Sequence, residues 1–443
     1  MVTMDKQLAM LKTANSTQMK LPVVVVFYDE GAATVFEILK AARNICRVVF
    51  AYNRRSRHVM QVMPMLERYR DKCDITGCDA KSAAILLASY HPAGIVTFSE
   101  YALAACAEVG LILGLDAHSP ETILKLKDKV HQRKTLAESG VDTVRLREIR
   151  TVDDLDPALE EVGLPAVLKP AIGAASRDTY RIDSLQQGRT LIRQLLSPST
   201  ERCVKPNRFI LEEMLIGDSN VAGSCWGDYI SVESIFAGET VRHLAITGKF
   251  PLAEPFREQG MVLPSTLDLD TQQAAFKLAE RAAKALGVYC GLTHIELKLT
   301  SSGPRVLEVN GRLGGYVTPL LQASTGIDAV AEALRNALGL PLPLQEIYFH
   351  QVGFTYFITP PLNAISVKAI QGLKEISQLD RVTLVVATKE LNTPISWTWG
   401  TQSHIVVVSG QAESHDEVLN TVKQVQKLLH VDWEKGSEHN YTK

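Results

Sequence analysis

Short apolar runs alternate with segments of helical periodicity along the first third of the chain. The run PVVVVFYD at 22–29 predicts a buried strand, followed by an amphipathic helix over 33–44 and a second strand, RVVFAY, at 47–52. Helix-like KSAAILLASY at 81–90, strand GIVTF at 94–98 and small-residue helix YALAACAEVG at 101–110, with Gly114 just beyond, continue the alternation. The pattern predicts a doubly wound α/β domain over 1–118. No G-x-G-x-x-G follows its first strand, so dinucleotide binding is not supported there.

The pattern then changes. KLKDKVHQRKTLAESG at 125–140 predicts one helix stopped at Gly140, and strands with a helix at 184–196 complete a small α+β lobe over 119–206. A larger lobe over 207–340 starts at RFILEEML (208–215), runs through the apolar stretch 228–250 and includes a helix at 271–287. After the Pro-rich GLPLPLQ (339–345), the segments FTYFIT, RVTLVVAT and HIVVVSG and a helix at 415–430 predict a terminal α+β unit over 341–443. The fold class is thus α/β and α+β: a doubly wound N-terminal domain, two lobes and a small C-terminal subdomain.

The most informative residues lie in one hairpin. In GLTHIELKLT, Ile295, Leu297 and Leu299 alternate with His294, Glu296 and Lys298, so period two puts the polar three on one face. After the turn SSGP comes RVLEVNGR, where Leu307 and Val309 are expected on one face and Glu308, Asn310 and Arg312 on the other. A hairpin centred near Ser302 sets Glu296 opposite Glu308, with Cβ atoms about 4.5–5.5 Å apart. Two carboxylates at ~4 Å and an effective dielectric near 20 repel by about 4 kcal/mol, and a divalent cation would resolve the conflict. Two carboxylates with the Asn310 amide oxygen are a hard oxygen set that suits Mg²⁺ or Mn²⁺. Gly311, Gly314 and Gly315 open the backbone immediately afterwards.

Charge and composition narrow the partners. With 47 basic and 49 acidic side chains the formal charge is −2, which does not suit a nucleic-acid binder. Neither the first twenty residues nor LPVVVVFY offers the ~20 apolar residues that span a bilayer, so the expected setting is cytoplasmic, without a membrane partner. The seven cysteines, at 46, 73, 78, 106, 203, 225 and 290, are odd in number and lack a paired metal spacing, which points to reduced thiols.

The spacing E-x(11)-E-x-N-x-R at Glu296, Glu308, Asn310 and Arg312 resembles the end of the nucleotide site in the ATP-grasp superfamily. GLTHIELKL and GPRVLEVNGRLGG, with the small terminal domain, are most similar to the L-amino-acid ligases that make dipeptides, some of whose relatives serve peptide-antibiotic pathways. The resemblance implies ATP and Mg²⁺ (or Mn²⁺) as cofactors, with Glu296, Glu308 and Asn310 as metal ligands. It implies that Lys129 and Lys169 hold phosphates, that AIGAAS (171–176), with Ser176, is a phosphate lid, and that Glu212, Glu213, Met214 and Leu215 read adenine. Arg312 is expected on the transferred phosphoryl group or a substrate carboxylate, and His294 and Glu258 at the substrate pocket. Where many relatives hold the ribose with a Glu, this chain has Asp218, Ser219 and Asn220 after Gly217.

The implied function is ATP-dependent carboxylate–amine ligation through an acyl phosphate, on amino acids or acyl-amino acids, with Arg312 and Lys169 as catalytic groups and a homodimer as the family's usual state. Two other readings share the fold: an acyl ligase with a carrier-protein thiol as acceptor, or a carboxylase. A catalytically silent nucleotide-binding regulator is the reading from another class.

Overall fold

The computed structural model describes residues 21–197, 208–343 and 345–436. Strands Lys72–Asp74, Arg47–Tyr52, Val23–Tyr28 and Pro92–Thr97 form, in that order, a parallel sheet. The valine run carries no polar alternation because both faces are covered. Val24 and Val26 pack toward helices Val35–Ala42 and Arg57–Leu66, while Val23, Val25 and Phe27 pack toward helices Ala80–Ala88 and Leu103–Leu113. This is the doubly wound arrangement expected of a parallel sheet. Burying side chains of this size contributes roughly 1.5–3 kcal/mol each.

The single helix expected over 125–140 is two helices, Pro120–Lys127 and Lys129–Glu138. Asp128, extended at φ −95° and ψ 111°, ends the first, and its carboxylate accepts from the Val130 N–H to cap the second. Lys129 therefore sits at a helix start rather than on a solvated mid-helix face. Gly140, at φ 63°, follows the second helix as expected.

The small lobe is an antiparallel sheet ordered Leu146–Ile149, Phe209–Glu213, Ala166–Pro170, Tyr180–Ile182, backed by helices Leu155–Val162 and Leu185–Leu196. The large sheet has eight antiparallel strands: Gly303–Asn310, Cys290–Thr300, Tyr229–Ala237, Thr240–Lys249, Gly260–Leu263, Val352–Ile358, Val406–Ala412 and Val382–Ala387. It runs unbroken across residue 340, because Gly260–Leu263 pairs with Val352–Ile358. Strands Ala364–Gln371 and His430–Lys435 pair separately. Helix Leu269–Ala285 covers one face of the large sheet with Ala275, Ala279, Ala282 and Ala283. Among the described residues no helix is long and apolar enough to cross a membrane.

Candidate active site

The two-strand hairpin is the floor of the site, and its register pairs Glu296 with Glu308 and His294 with Asn310. Its tip pairs Thr300 with Gly303, half a residue from the expected centre, and a bulge between Glu296 and Leu297 restores the expected pairing. The bulge corrects one assignment. Leu307 is the extra residue, so Val306 joins Val309 in the core and Leu307 faces the cleft beside Glu308.

Arg133 fixes the bulge. Its guanidinium donates to the carbonyls of Val306 (2.6 Å) and Leu307 (2.9 Å) and, through Nε, to Glu212 Oε2 (3.1 Å). Gln132 grips the next residue twice, accepting from Val309 N–H (2.9 Å) and donating to Val309 O (3.0 Å). One helical turn thus ties the metal-site candidates to the small lobe.

Glu212 is a buried junction rather than a strand-end charge. It takes Arg133 on one oxygen and the Lys169 ammonium on the other. Burial alone would push its carboxyl up, but Arg133 and Lys169 outweigh that and hold its pKa at about 2. Burial pulls the Lys169 ammonium below the usual lysine value against the opposing pull of Glu212. Glu213, Met214 and Leu215 line the cleft, with the Glu213 carboxylate paired to Arg145 (2.7 Å). Asp218 is taken up in capping the short helix Ser219–Ala222, accepting from Asn220 N–H at 2.9 Å.

Each facing glutamate has its own cation. Lys129 Nζ lies 2.8 Å from Glu308 Oε1 and donates to Gly173 O at 2.9 Å, so it links the hairpin to the small-residue loop. Glu296 faces His294 Nε2 at 3.4 Å, and the other ring nitrogen of His294 is 2.9 Å from Glu233. Burial works against a charged His294 ring, but Glu233 and Glu296 outweigh it and raise its pKa. Burial would raise the Glu296 carboxyl, yet His294, Lys249 and Arg312 bring it below the usual carboxylate range. The repulsion argued from sequence is therefore met in part by Lys129 and His294 themselves. Among the described residues no three His, Cys, Asp or Glu side chains are grouped to hold a metal ion. The hairpin still fits a hard cation that shares phosphate oxygens, since two carboxylates and the Asn310 amide oxygen supply only three protein donors.

Two cavities meet on this floor. An inner cleft of about 170 Å³ is lined by Lys129, Lys169, Ser176, Glu212 to Leu215, Leu307 and Glu308. An adjoining cavity of about 530 Å³ is lined by His294, Asn310, Arg312, Tyr316 and His404, and Glu258, Glu296 and Glu308 border both. Every site residue expected from sequence thus lines one of the two. Arg312 reaches Glu100 (3.1 Å) and the Asn310 amide oxygen (3.4 Å). Glu258 is bound by the buried ammonium of Lys249 (2.8 Å), so it is already paired with a cation of the protein.

The loop 171–176 is held from across the cleft by a segment near residue 400. Thr401 N–H donates to Ala175 O (2.9 Å), Asp178 N–H donates to Thr398 O (2.9 Å) and Arg177 donates to Gln402 (3.0 Å). Ala175, Ser176 and Asp178 all have positive φ, and Gly400, at φ 63° and ψ −136°, lies flat against them. Gln402 also donates to Glu30 of the N-terminal domain (3.1 Å).

Sequence reasoning missed Arg133, Glu233, Lys249 and this clamp. For Glu233 a signal existed: Ser231, Glu233 and Ser234 interrupt an otherwise apolar strand, and all three are buried. Lys249 ends strand Thr240–Lys249 just after the apolar run 244–246 and is 1% exposed. The clamp had none, because its contacts join residues more than two hundred positions apart.

Comparison with known proteins agrees with this geometry. Residues 162–319 match the model of the ATP-grasp domain. The chain is 28% identical over 255 residues to the alanine–anticapsin ligase of Bacillus subtilis, covering 55% of this chain and 53% of that enzyme. It is 24% identical over 274 residues to human (Homo sapiens) carnosine synthase 1, covering 57% of this chain and 32% of that protein. The chain thus spans about half the length, or less, of these curated relatives. The crystal structure of an L-amino acid ligase from Bacillus licheniformis superposes with a TM-score of 0.73 over 95% of this chain and 100% of that one, at 21% identity, which shows a common fold.

Proposed function

We propose that this chain, an ATP-grasp protein, is an ADP-forming carboxylate–amine ligase that joins amino acids or acyl-amino acids into dipeptide-type amides. The observation that carries the reading is the meeting of a lysine-lined cleft and a larger cavity at Glu296 and Glu308. The likeness to alanine–anticapsin ligase supports the choice of acceptor, and a role in peptide-antibiotic synthesis is proposed on the same ground.

In the first step a substrate carboxylate oxygen attacks the γ-phosphorus of ATP, the bond to the β-phosphate oxygen breaks, and ADP leaves. In the second step an amine attacks the acyl carbon of the acyl phosphate, phosphate departs with the bonding pair, and the nitrogen passes a proton to the departing phosphate. The difficulty in the first step is anion meeting anion. Lys129 and Lys169 hold the phosphates in the inner cleft, and Arg312 neutralises the group in transfer; such fixed charges act without reorganising. Glu296, Glu308 and Asn310 would hold Mg²⁺, which supplies further neutralisation of phosphate charge when bound. Loop 171–176, closed by the residue-400 clamp, keeps water from the acyl phosphate.

We keep the division of the chain at 118, 206 and 340, the last as a boundary in sequence that the large sheet crosses, and a homodimer, as parts of this reading; light scattering tests the homodimer. The ligase reading is tested by ADP release with Mg²⁺ across pairs of amino acids, with mass detection of product. Nucleotide turnover with a carrier-protein thiol or bicarbonate and never with an amine would refute it.

A further inference from the structure

The larger cavity carries more cationic groups than the phosphoryl chemistry uses, and most are already matched. Arg312 pairs with Glu100, Lys249 with Glu258, and His294 lies between Glu233 and Glu296. The remaining wall is satisfied internally as well. His404 bonds Tyr316 (3.2 Å) and the Thr401 carbonyl (2.6 Å), Thr388 donates to His404 O (2.6 Å), and Glu30 accepts from Gln402 (3.1 Å).

Lys389 is the exception among the described residues. It lines the same cavity, just beyond strand Val382–Ala387, and has no carboxylate within ion-pairing distance there. Its ammonium lies 5.6 Å from the centre of the Trp399 ring, which holds the side chain against the clamp segment without neutralising it. Half-burial disfavours its charge, and Glu30 opposes that only through space. A half-desolvated ammonium without a counter-ion in a substrate-sized cavity is a site for an anionic group arriving from solution.

We infer that Lys389 binds the carboxylate of the amine-donating amino acid, and so selects an amino acid over a simple amine at that position. The assignment rests on the ligase reading. Lys389 lines the larger cavity but not the inner cleft, whereas Glu296 and Glu308 line both. The carboxylate undergoing phosphorylation must meet the nucleotide at that shared floor. The anion at Lys389 is therefore a second one, and in a two-substrate ligation the amine donor supplies it.

The test compares L-alanine with L-alaninamide as amine donors, in the wild-type enzyme and in Lys389→Met and Lys389→Arg. A charge-assisted hydrogen bond is worth about 1.5–3 kcal/mol, or roughly a 10- to 150-fold preference. The wild type should favour the acid by such a factor in kcat/KM. Lys389→Met should lose the preference through the KM of the amine donor, and Lys389→Arg should retain it. An unchanged acid-to-amide ratio in Lys389→Met, or a KM rise confined to the acyl donor, overturns the assignment and leaves the ligase reading standing. ATP consumption by the wild type without amide product from any pair in the amino-acid screen instead sinks the ligase reading and the assignment with it.

Discussion

Replacing Gly400 with alanine tests whether the clamp closes the phosphate loop. A Cβ at this position would lie 2.0 Å from Ala175 O and 2.6 Å from the Ser176 carbonyl carbon, so two backbones, not a flexible side chain, would have to part. The conformation at φ 63° and ψ −136° adds strain of about 1–3 kcal/mol for any residue with a side chain. Parting the segments also forfeits the Thr401-to-Ala175 and Asp178-to-Thr398 hydrogen bonds, at about 0.5–1.5 kcal/mol each. The closed loop therefore loses about 2–6 kcal/mol relative to the open one, and even the lower figure is a factor of about 30 in the closure equilibrium. In Gly400→Ala the KM for ATP should rise at least about tenfold, and phosphate released per amide formed should climb above one as water reaches the acyl phosphate. Coupled phosphate and product assays read both quantities. A folded variant with unit stoichiometry and a KM for ATP within about twofold of wild type would refute the clamp.

Three further outcomes follow from the site. Glu308→Gln removes the carboxylate shared by Lys129 and the proposed metal, and product formation should fall by about 100-fold or more while the circular dichroism spectrum is unchanged; near-normal turnover contradicts the metal assignment. Arg133→Met leaves Glu212 buried with half its countercharge and frees the Val306 and Leu307 carbonyls, and should cost about 3–5 kcal/mol of unfolding free energy in urea. Glu212 also sets an acid limb. Its folded pKa of about 2 is depressed below the usual value near 4.5, so its contribution is complete above pH 4.5 and lost as pH falls toward 2. That is on the order of 3 kcal/mol, measurable as a flatter stability profile between pH 5 and 3 in Glu212→Gln.

The hairpin was legible because a period of two fixes faces and a short polar turn fixes register, and both depend on neighbours in the chain. Even so, agreement over Glu296 and Glu308 needed a bulge that no residue announces, and the same bulge moved Leu307 from the core to the cleft. The break at Asp128 was hidden because a capping aspartate inside a charged run reads like one more exposed helical residue. Arg133, Glu233 and Lys249 have partners 79, 61 and 9 residues away, and only folding shows which strand faces bring them together. Lys389 and the clamp belong to a segment whose local pattern predicts nothing beyond strand and turn. Their role arises where that segment crosses the cleft.

Oxygen transfer tests the acyl-phosphate ligase most directly. An amino acid labelled with ¹⁸O in its carboxylate is supplied as acyl donor with ATP and a second amino acid, and the released phosphate is examined by mass spectrometry. The account predicts one labelled oxygen in each phosphate formed with an amide product. Unlabelled phosphate, or label carried into AMP, would contradict it.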